Sequence, residues 1–374
     1  MPLTITKGSA VHYALRAAGV AIVAYIALNP ILGTAKANAF NDLVQICVFA
    51  VAAMSLNLLI GFTGQISIGH SAFFGVGAYT TAILSKDYGW SPGWTFPVAA
   101  VICFVVGVVV GVPALRLRGL YLALVTLALA QIFPQLVRKL DFLTSGSTGI
   151  TAVQYRPPSW TGLSASRVDR AEWLYWIGLF LVVISYIIVR NLVKSRVGRA
   201  MIAVRDNETA ASVMGVNIAF VKTMAFGISA AMCGVAGCLF VLFQQLASPD
   251  ISYFTIIGSI IFLVIMVLGG AASLTGPIVG AFVYYRLDDY TRSIEGKDYL
   301  PSAFRDFLTD RPNLATIVFA TMLILLMFLA PDGIVGLSKR IGRRVVRIGT
   351  APTLPPPDLT PQAVDQPGTP APVD

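Results

Sequence analysis

Between Leu56 and Tyr79 five glycines alternate with side chains that can hydrogen-bond. The glycines are Gly61, Gly64, Gly69, Gly75 and Gly77, and the polar residues include Asn57, Thr63, Gln65, Ser67, His70 and Ser71. The surroundings are strongly apolar. Polar groups at such depth face a bundle interior or a water-filled cavity, and glycine-rich backbone is tolerated there for the same reason. The chemistry on offer is therefore hydrogen bonding, either to a passing solute or to neighbouring backbone. His70 admits three roles: a hydrogen-bonded structural group, a proton carrier or a metal ligand. No partner at ligand spacing supports the metal, and the structural role is the simplest. Neither a Ser/His/Asp set nor paired carboxylates point to an enzyme. Catalytic residues are expected to be none, and metal ligands none.

The elements that hold this segment must be membrane helices. The chain has 374 residues, 56% of them hydrophobic and 12% charged, against about 25% charged in a soluble domain. Mean hydropathy is +0.77. The first apolar run, 14–32, is too long for a signal-peptide core and lacks a clear cleavage motif. About 20 apolar residues cross the hydrocarbon core. Spans are expected near 14–32, 42–61, 65–84, 95–115, 119–137, 173–190, 222–244, 255–270, 275–287 and 313–330. The ninth is short, so re-entrant or broken, and eight or nine spans are alternatives to ten. The fold class is thus all-α, a polytopic transmembrane bundle with broken Gly-rich segments. The runs are continuous rather than alternating, which argues against a strand barrel. Cys47, Cys103, Cys233 and Cys238 all lie in apolar spans and read as packing residues.

Loop charge sets the orientation. Arg190, Lys194, Arg196, Arg199, Arg205 and Lys222 outnumber Asp206 and Glu208 in one loop. Lys339, Arg340, Arg343, Arg344 and Arg347 follow the last span, and Arg116 and Arg118 sit in a tight turn. These face the cytoplasm. The nearly neutral 140–172 loop and the acidic 288–311 loop face outward, and with ten spans both termini lie inside. The net charge of +9 therefore reflects topology and lipid contact, not nucleic acid. Residues 1–338 form the membrane domain. Residues 339–374 are a basic and then proline-rich tail whose composition favours disorder. Asp42, Asp87, Asp288 and Asp289 lie at span ends, leaving no obvious intramembrane carboxylate to couple transport to an ion.

Three further patterns stand out. Within the 191–221 loop, Asp206 is placed to cap a short helix, with Glu208 in its first turn and Gly215 as its stop. Ala210, Val213 and Met214 fall on one side of that helix, which suits either docking into another protein or lying on lipid headgroups. Further on, Gly269, Gly270, Gly276, Pro277 and Gly280 combine a helix break with a small-x-x-x-small packing face. In the first segment, Asn57 is read as the end of an apolar run, and Gly61 and Gly64 permit a break. Residues 64, 67, 71, 75 and 78 form one small face at helical spacing. That face reads as tight packing, as the wall of a translocation path, or as both.

The stretch Asn57-Leu58 through Gly77-Ala78-Tyr79 resembles N-L-x-x-G-x-T-G-x-x-S-x-G-H-x-A-F-F-G-x-G-A-Y of the LivM-type permeases of branched-chain amino acid ABC importers. The loop from Ser195 to Gly215 is similar to that subgroup's S-R-x-G-R-A-x-x-A-x-R-x-x-E-x-A-A-x-x-x-G. In the wider E-A-A-x-x-x-G coupling pattern Thr209 stands where Glu is usual, followed by Ala210 and Ala211. Leu268 to Ala281 resembles G-G-x-G-S-x-x-G-P-x-x-G-A, with Ala272 in place of a glycine. Gly119 to Leu127 looks like the helix after the family's tight turn.

The resemblance implies an inner-membrane permease subunit, with Asn57, Gly61, Gly64, Gln65, Ser67, Gly69, His70, Ser71 and Gly75 along a translocation path. It assigns ATPase coupling to Arg199, Arg205, Glu208, Ala210, Ala211 and Gly215. It implies a homologous second permease, two ATP-binding subunits and an extracytoplasmic solute-binding protein. No cofactor is expected in this chain; ATP and Mg²⁺ belong to the partners. The chain has no G-x-x-x-x-G-K-[ST] loop, since Gly296-Lys297 is followed by Asp298. Branched-chain or similar amino acids are the implied substrates. Urea, amides or another small polar solute in the same family is the alternative, and a standalone secondary transporter the rival class.

Overall fold

The computed structural model describes residues 3–6, 37–114, 120–152, 155–158, 166–294, 320–321, 323–325, 327–328, 330 and 332–349. The chain divides into two compact units, residues 28–339 and residues 1–27 with 340–374. The larger unit contains α1 (Ala37–Thr63), α2 (His70–Lys86), α3 (Pro92–Ala114), α4 (Leu120–Lys139), α5 (Arg167–Lys194), α6 (Arg196–Asp206) and α7 (Glu208–Val213). It continues with α8 (Ile218–Gln244), α9 (Ile256–Gly269) and α10 (Gly276–Ile294), and α11 (Gly333–Val345) begins in it. In the smaller unit β1 (Leu3–Thr6) pairs in parallel with β4 (Val346–Gly349), a pairing the sequence reading did not anticipate.

The all-α membrane architecture follows from length and hydropathy. Within the described residues α1, α3, α4, α5 and α8 each carry a stretch long and apolar enough to cross a membrane. α1 and α8 are buried along most of that stretch, α3 and α5 along less than a third. The two buried helices form the centre, and α8 packs on α1, α2 and α3. Hydrophobic burial from water does not drive helix association in lipid, so close approach must come from small residues and van der Waals fit. A Cβ at Gly77 would overlap the Gly234 carbonyl, and one at Gly237 the Phe74 carbonyl. Around that crossing Phe74 meets Phe262 with ring centroids 5.1 Å apart and Phe240 at 5.2 Å.

Several expected boundaries move. The span read at 65–84 begins as a helix only at His70, because 64–69 is non-helical and Gly64 takes φ +74°. The proposed small face over 64–78 is therefore helical only from residue 70. α5 extends past 173–190 at both ends. The short element is α9, not the next one. Its 14 residues cover about 21 Å at 1.5 Å per residue, less than the hydrocarbon core of about 30 Å. α10 runs 19 residues, well beyond Leu287. The reversal between them occupies 270–275, so Gly276-Pro277 opens α10 instead of breaking a helix. Proline's missing N–H costs nothing in a first turn. The span at 14–32, the turn with Arg116 and Arg118, Gly119, the loop beyond Ile294, most of 313–330 and the proline-rich tail lie outside the described residues.

Opposite ends of the larger unit are built differently. At one end β2 (Ile150–Thr151) pairs antiparallel with β3 (Leu246–Ala247), tying the 140–172 loop to the C-terminus of α8. At the other end α6 and α7 lie beside the C-terminus of α1 and the start of α8.

Candidate functional site

Asn57, which ends an apolar run in the sequence, does not interrupt the helix. It sits inside α1, fully buried, where a polar side chain without partners would cost about 1–3 kcal/mol. Its Nδ2 donates to the Ser273 carbonyl at 2.8 Å, and its Oδ1 accepts from the Ala272 N–H at 2.9 Å. The side chain thus completes both backbone needs of the 270–275 reversal. Ala272 is held there at φ +58°, a left-handed conformation that favours glycine. The glycine usual at this place in the family pattern would adopt that angle without strain. A Cβ at Gly61 would strike both Asn57 and the Ala272 backbone, so the reversal lies directly on α1. On its other side Gly270, at φ +114°, faces Asp332 and Gly333.

α1 ends at Thr63 because Gly64 turns left-handed. The last turn is closed by Gly64 N–H to Ile60 O at 3.1 Å and Gln65 N–H to Leu59 O at 3.2 Å. The Gly61 carbonyl receives Arg205 Nη1–H at 2.9 Å, from across the chain on α6. A Cβ at Gly64 would come 2.9 Å from Arg205 Cγ. Gln65 Nε2 donates to the Lys222 carbonyl at 3.3 Å. Lys222 is itself buried and its ammonium meets Glu208 at 2.5 Å. Lys222 is therefore an internal ion-pair partner at the start of α8 and not one of the loop's solvated positive charges. The pair is stabilising only while both partners are present, since a lone buried charge costs several kcal/mol.

In 65–71 the polar groups bond to the helices around them. Ser229 Oγ donates its one proton to the Ser55 carbonyl at 2.6 Å. His70 Nε2, 2.7 Å from Ser229 Oγ, must then be the donor in that contact. Nδ1 accepts from Ser67 Oγ at 3.0 Å. One tautomer thus satisfies both ring nitrogens. Ser259 Oγ donates to Ser71 Oγ at 2.8 Å and accepts the Ser71 N–H at 2.9 Å. The Ile68 N–H goes to Thr126 Oγ1 at 3.0 Å. Thr126 also lies where a Gly69 Cβ would go. Gln65, Ser67, His70 and Ser71 are all buried. His70 is a hydrogen-bonded structural histidine in this arrangement. Among the described residues no three His, Cys, Asp or Glu side chains are grouped to hold a metal.

The 195–217 loop differs from expectation in its caps. Asp206 closes α6; Asn207 caps α7, its Oδ1 accepting the Ala210 N–H at 3.0 Å. Gly215 stops α7 at φ +80° with open space where a Cβ would be, so its requirement is conformational and not steric. Ala211 is buried, while Ala210, Val213 and Met214 are exposed. Val213 and Met214 expose 82% and 83% of their surface. Arg199 stays local, donating to the Lys194 carbonyl at 3.2 Å, and does not join the cluster around Gly61. The last motif is a packing seam. Gly269 and Gly276 touch backbone to backbone, and a Gly280 Cβ would overlap the Ile265 carbonyl.

Three stretches far apart in sequence, 57–71, 205–222 and 269–273, thus form one hydrogen-bonded cluster at the α6–α7 end. Gly75 lies outside it and faces the Phe133 ring. Sequence reasoning missed Ser229, Ser259, Ser273, Thr126 and the partnered state of Lys222. Ser229 and Ser259 carried a weak signal, as isolated hydroxyls within apolar runs.

The chain is similar to known proteins along most of its length. The family model described as "Branched-chain amino acid transport system / permease component" matches residues 38–329. The chain is 30% identical over 312 residues to the high-affinity branched-chain amino acid transport system permease protein LivM of Escherichia coli K12, covering 78% of this chain and 68% of LivM. It is 26% identical over 310 residues to LivH of the same strain, covering 79% and 94% of the two chains. The autoinducer 2 import system permease protein LsrC of Salmonella typhi is 25% identical over 315 residues, covering 80% and 84%. No solved structure matches. With the family model covering most of the chain and LivM matched across two thirds of its length, this protein belongs to the branched-chain amino acid transport system permease family.

Proposed function

We propose that this chain is the permease subunit of an ATP-driven ABC importer for branched-chain or similar amino acids. It is a transport subunit and not an enzyme. Two ATP-binding subunits dock on α7, a second homologous permease completes the path, and an extracytoplasmic binding protein delivers the solute. The observation that carries this reading is the link from the exposed Val213–Met214 surface to Gly61. Residues 205 and 208 flank that surface and hold, respectively, the last turn of α1 and the first turn of α8. Closure of an ATPase pair against α7 would pull on both helices. The glycine-rich break at 64–69 would then move with them, and the path would open alternately to the two faces. In this orientation the α6–α7 end is cytoplasmic, the β2–β3 end faces outward to the binding protein, and both termini are cytoplasmic in the bacterial inner membrane. Among the described residues the acid bonded into the cluster is Glu208, at its loop edge and paired with Lys222, which does not suggest ion coupling.

LsrC's printed role keeps a second substrate class in view, a small polar solute other than an amino acid. Reconstitution of the chain with its genomically neighbouring ATPases and binding protein decides. ATP-dependent leucine uptake is expected. Uptake driven by a proton or sodium gradient without ATPases would overturn the importer reading, and ATP-dependent uptake of a different solute would overturn the substrate.

A further inference from the structure

Tyr79 stands near the C-terminus of α2, the helix that packs against β2 and β3. Only 4% of its surface is exposed, and among the described residues its hydroxyl has no hydrogen-bond partner. A buried donor left unmet is costly, and phenylalanine would fill the same space without that cost. Packing in this conformation therefore does not account for the hydroxyl. Its surroundings are aromatic. The Phe133 ring of α4 lies 6.2 Å away between centroids and the Phe254 ring 6.0 Å away, and those two rings are 6.5 Å from each other. Tyr79, Phe133 and Phe254 thus pack as a triangle, all three buried.

The helix explains the placement. Ser71, Gly75 and Tyr79 recur every four residues and share one face of α2. Ser71 bonds to Ser259, Gly75 leaves room for the Phe133 ring, and Tyr79 meets both rings. Ser71 and Gly75 are residues that the family resemblance sets along the path, so Tyr79 continues that face by one turn. The ring-bearing segments can part. Pro134 follows Phe133 inside α4 and leaves that helix one backbone bond short. Arg138, five residues after Phe133, pairs at 2.5 Å with Asp250, four residues before Phe254. The pair straps the two segments together, and an exposed ion pair of this kind is weak enough to release.

We propose that Tyr79 is a solute-contacting residue: when Phe133 and Phe254 part, its hydroxyl hydrogen-bonds the polar end of a small solute whose aliphatic body packs on the rings. The proposal deepens the importer reading and rests on it. In the closed arrangement the three rings shut the outer end of the path and the hydroxyl is idle. It gains a partner only in the open, loaded state, and that differential contact lets a solute favour opening.

Tyr79→Phe removes the oxygen and nothing else. In the complex assembled with ATPases and binding protein, the unfolding midpoint should equal or exceed the parent's, because no bond of this conformation is lost. ATP-dependent L-leucine uptake should fall about tenfold, the scale of one hydrogen bond to a charged group. A lowered midpoint overturns the proposal, since the hydroxyl would then be holding the fold. Uptake within about twofold of the parent at normal membrane abundance also overturns it. A second measurement needs no transport. The four native cysteines are buried, so the thiol of Tyr79→Cys can be followed by its alkylation rate. Arg138→Gln, which releases the strap, should speed that alkylation severalfold, and equal rates with and without the strap overturn the parting of the rings. Absence of ATP-dependent leucine uptake in the parent would count against the importer reading instead, while the midpoint and the alkylation rates would still decide whether the hydroxyl is unbonded and the rings part.

Discussion

The two ends of the larger unit solve opposite problems. At the α6–α7 end Asn57, Gln65, His70, Ser71, Arg205 and Lys222 are each bonded to another segment. At the β2–β3 end Arg167 and Arg170 line one cavity, and Asp288 and Asp289 line another. A filled hydrogen-bonding cluster transmits displacement, because moving one member leaves a buried partner unsatisfied. An open charged cavity has capacity to bind. In this conformation the glycine-rich segment turns its polar side chains to internal bonds, which fits the mechanical role proposed for it above.

The sharpest way to break that comparison is at the α2–α8 crossing beneath the joint. Gly77→Leu places a side chain into the Gly234 backbone, which cannot yield as a side chain would. We expect loss of folded protein from the membrane, read by detergent-solubilised size-exclusion yield. Gly75→Ala meets only the Phe133 ring and should keep most of the protein. Equal tolerance at both positions would contradict the close approach.

Asn57→Leu comes next. It keeps volume and removes both bonds to the 272–273 backbone. A loss of about 2 kcal/mol or more is expected from two groups left unsatisfied, seen as a lowered midpoint of thermal unfolding in nanodiscs with uptake sharply reduced. An unchanged midpoint would mean that the reversal finds other partners.

His70→Gln should have the smallest effect of the three. Glutamine supplies one donor and one acceptor, as the neutral ring does to Ser229 and Ser67. Uptake should fall severalfold without vanishing, and His70→Leu should fall further. Complete loss in His70→Gln with normal assembly would point to a proton-handling role and reopen secondary transport.

Much of this was legible in the sequence, for identifiable reasons. Composition and run length dictate a membrane bundle. Glycines at 64, 215 and 270 mark left-handed turns because few other residues adopt them cheaply. What stayed hidden was pairing across the fold. Asn57 reads as a polar interruption of an apolar run; only the facing 272–273 backbone, more than 200 positions away, explains why it is there. Lys222 reads as loop charge until Glu208 is placed beside it. Asp206 and Asn207 are both good caps, and one residue of phase decided between them. The two cavities could not be read at all, since their walls come from four separated segments.

Under the reading proposed above, α7 passes force from ATP-binding partners to the α1–α8 joint. Val213→Asp/Met214→Asp tests it most directly, because both side chains point away from the protein's own core and their replacement leaves its packing intact. The measurement is ATP hydrolysis by the purified complex, stimulated by solute-loaded binding protein, alongside the unfolding midpoint of the permease. Lost association and lost stimulation are expected, with an unchanged midpoint. Full stimulation in the double variant would contradict it.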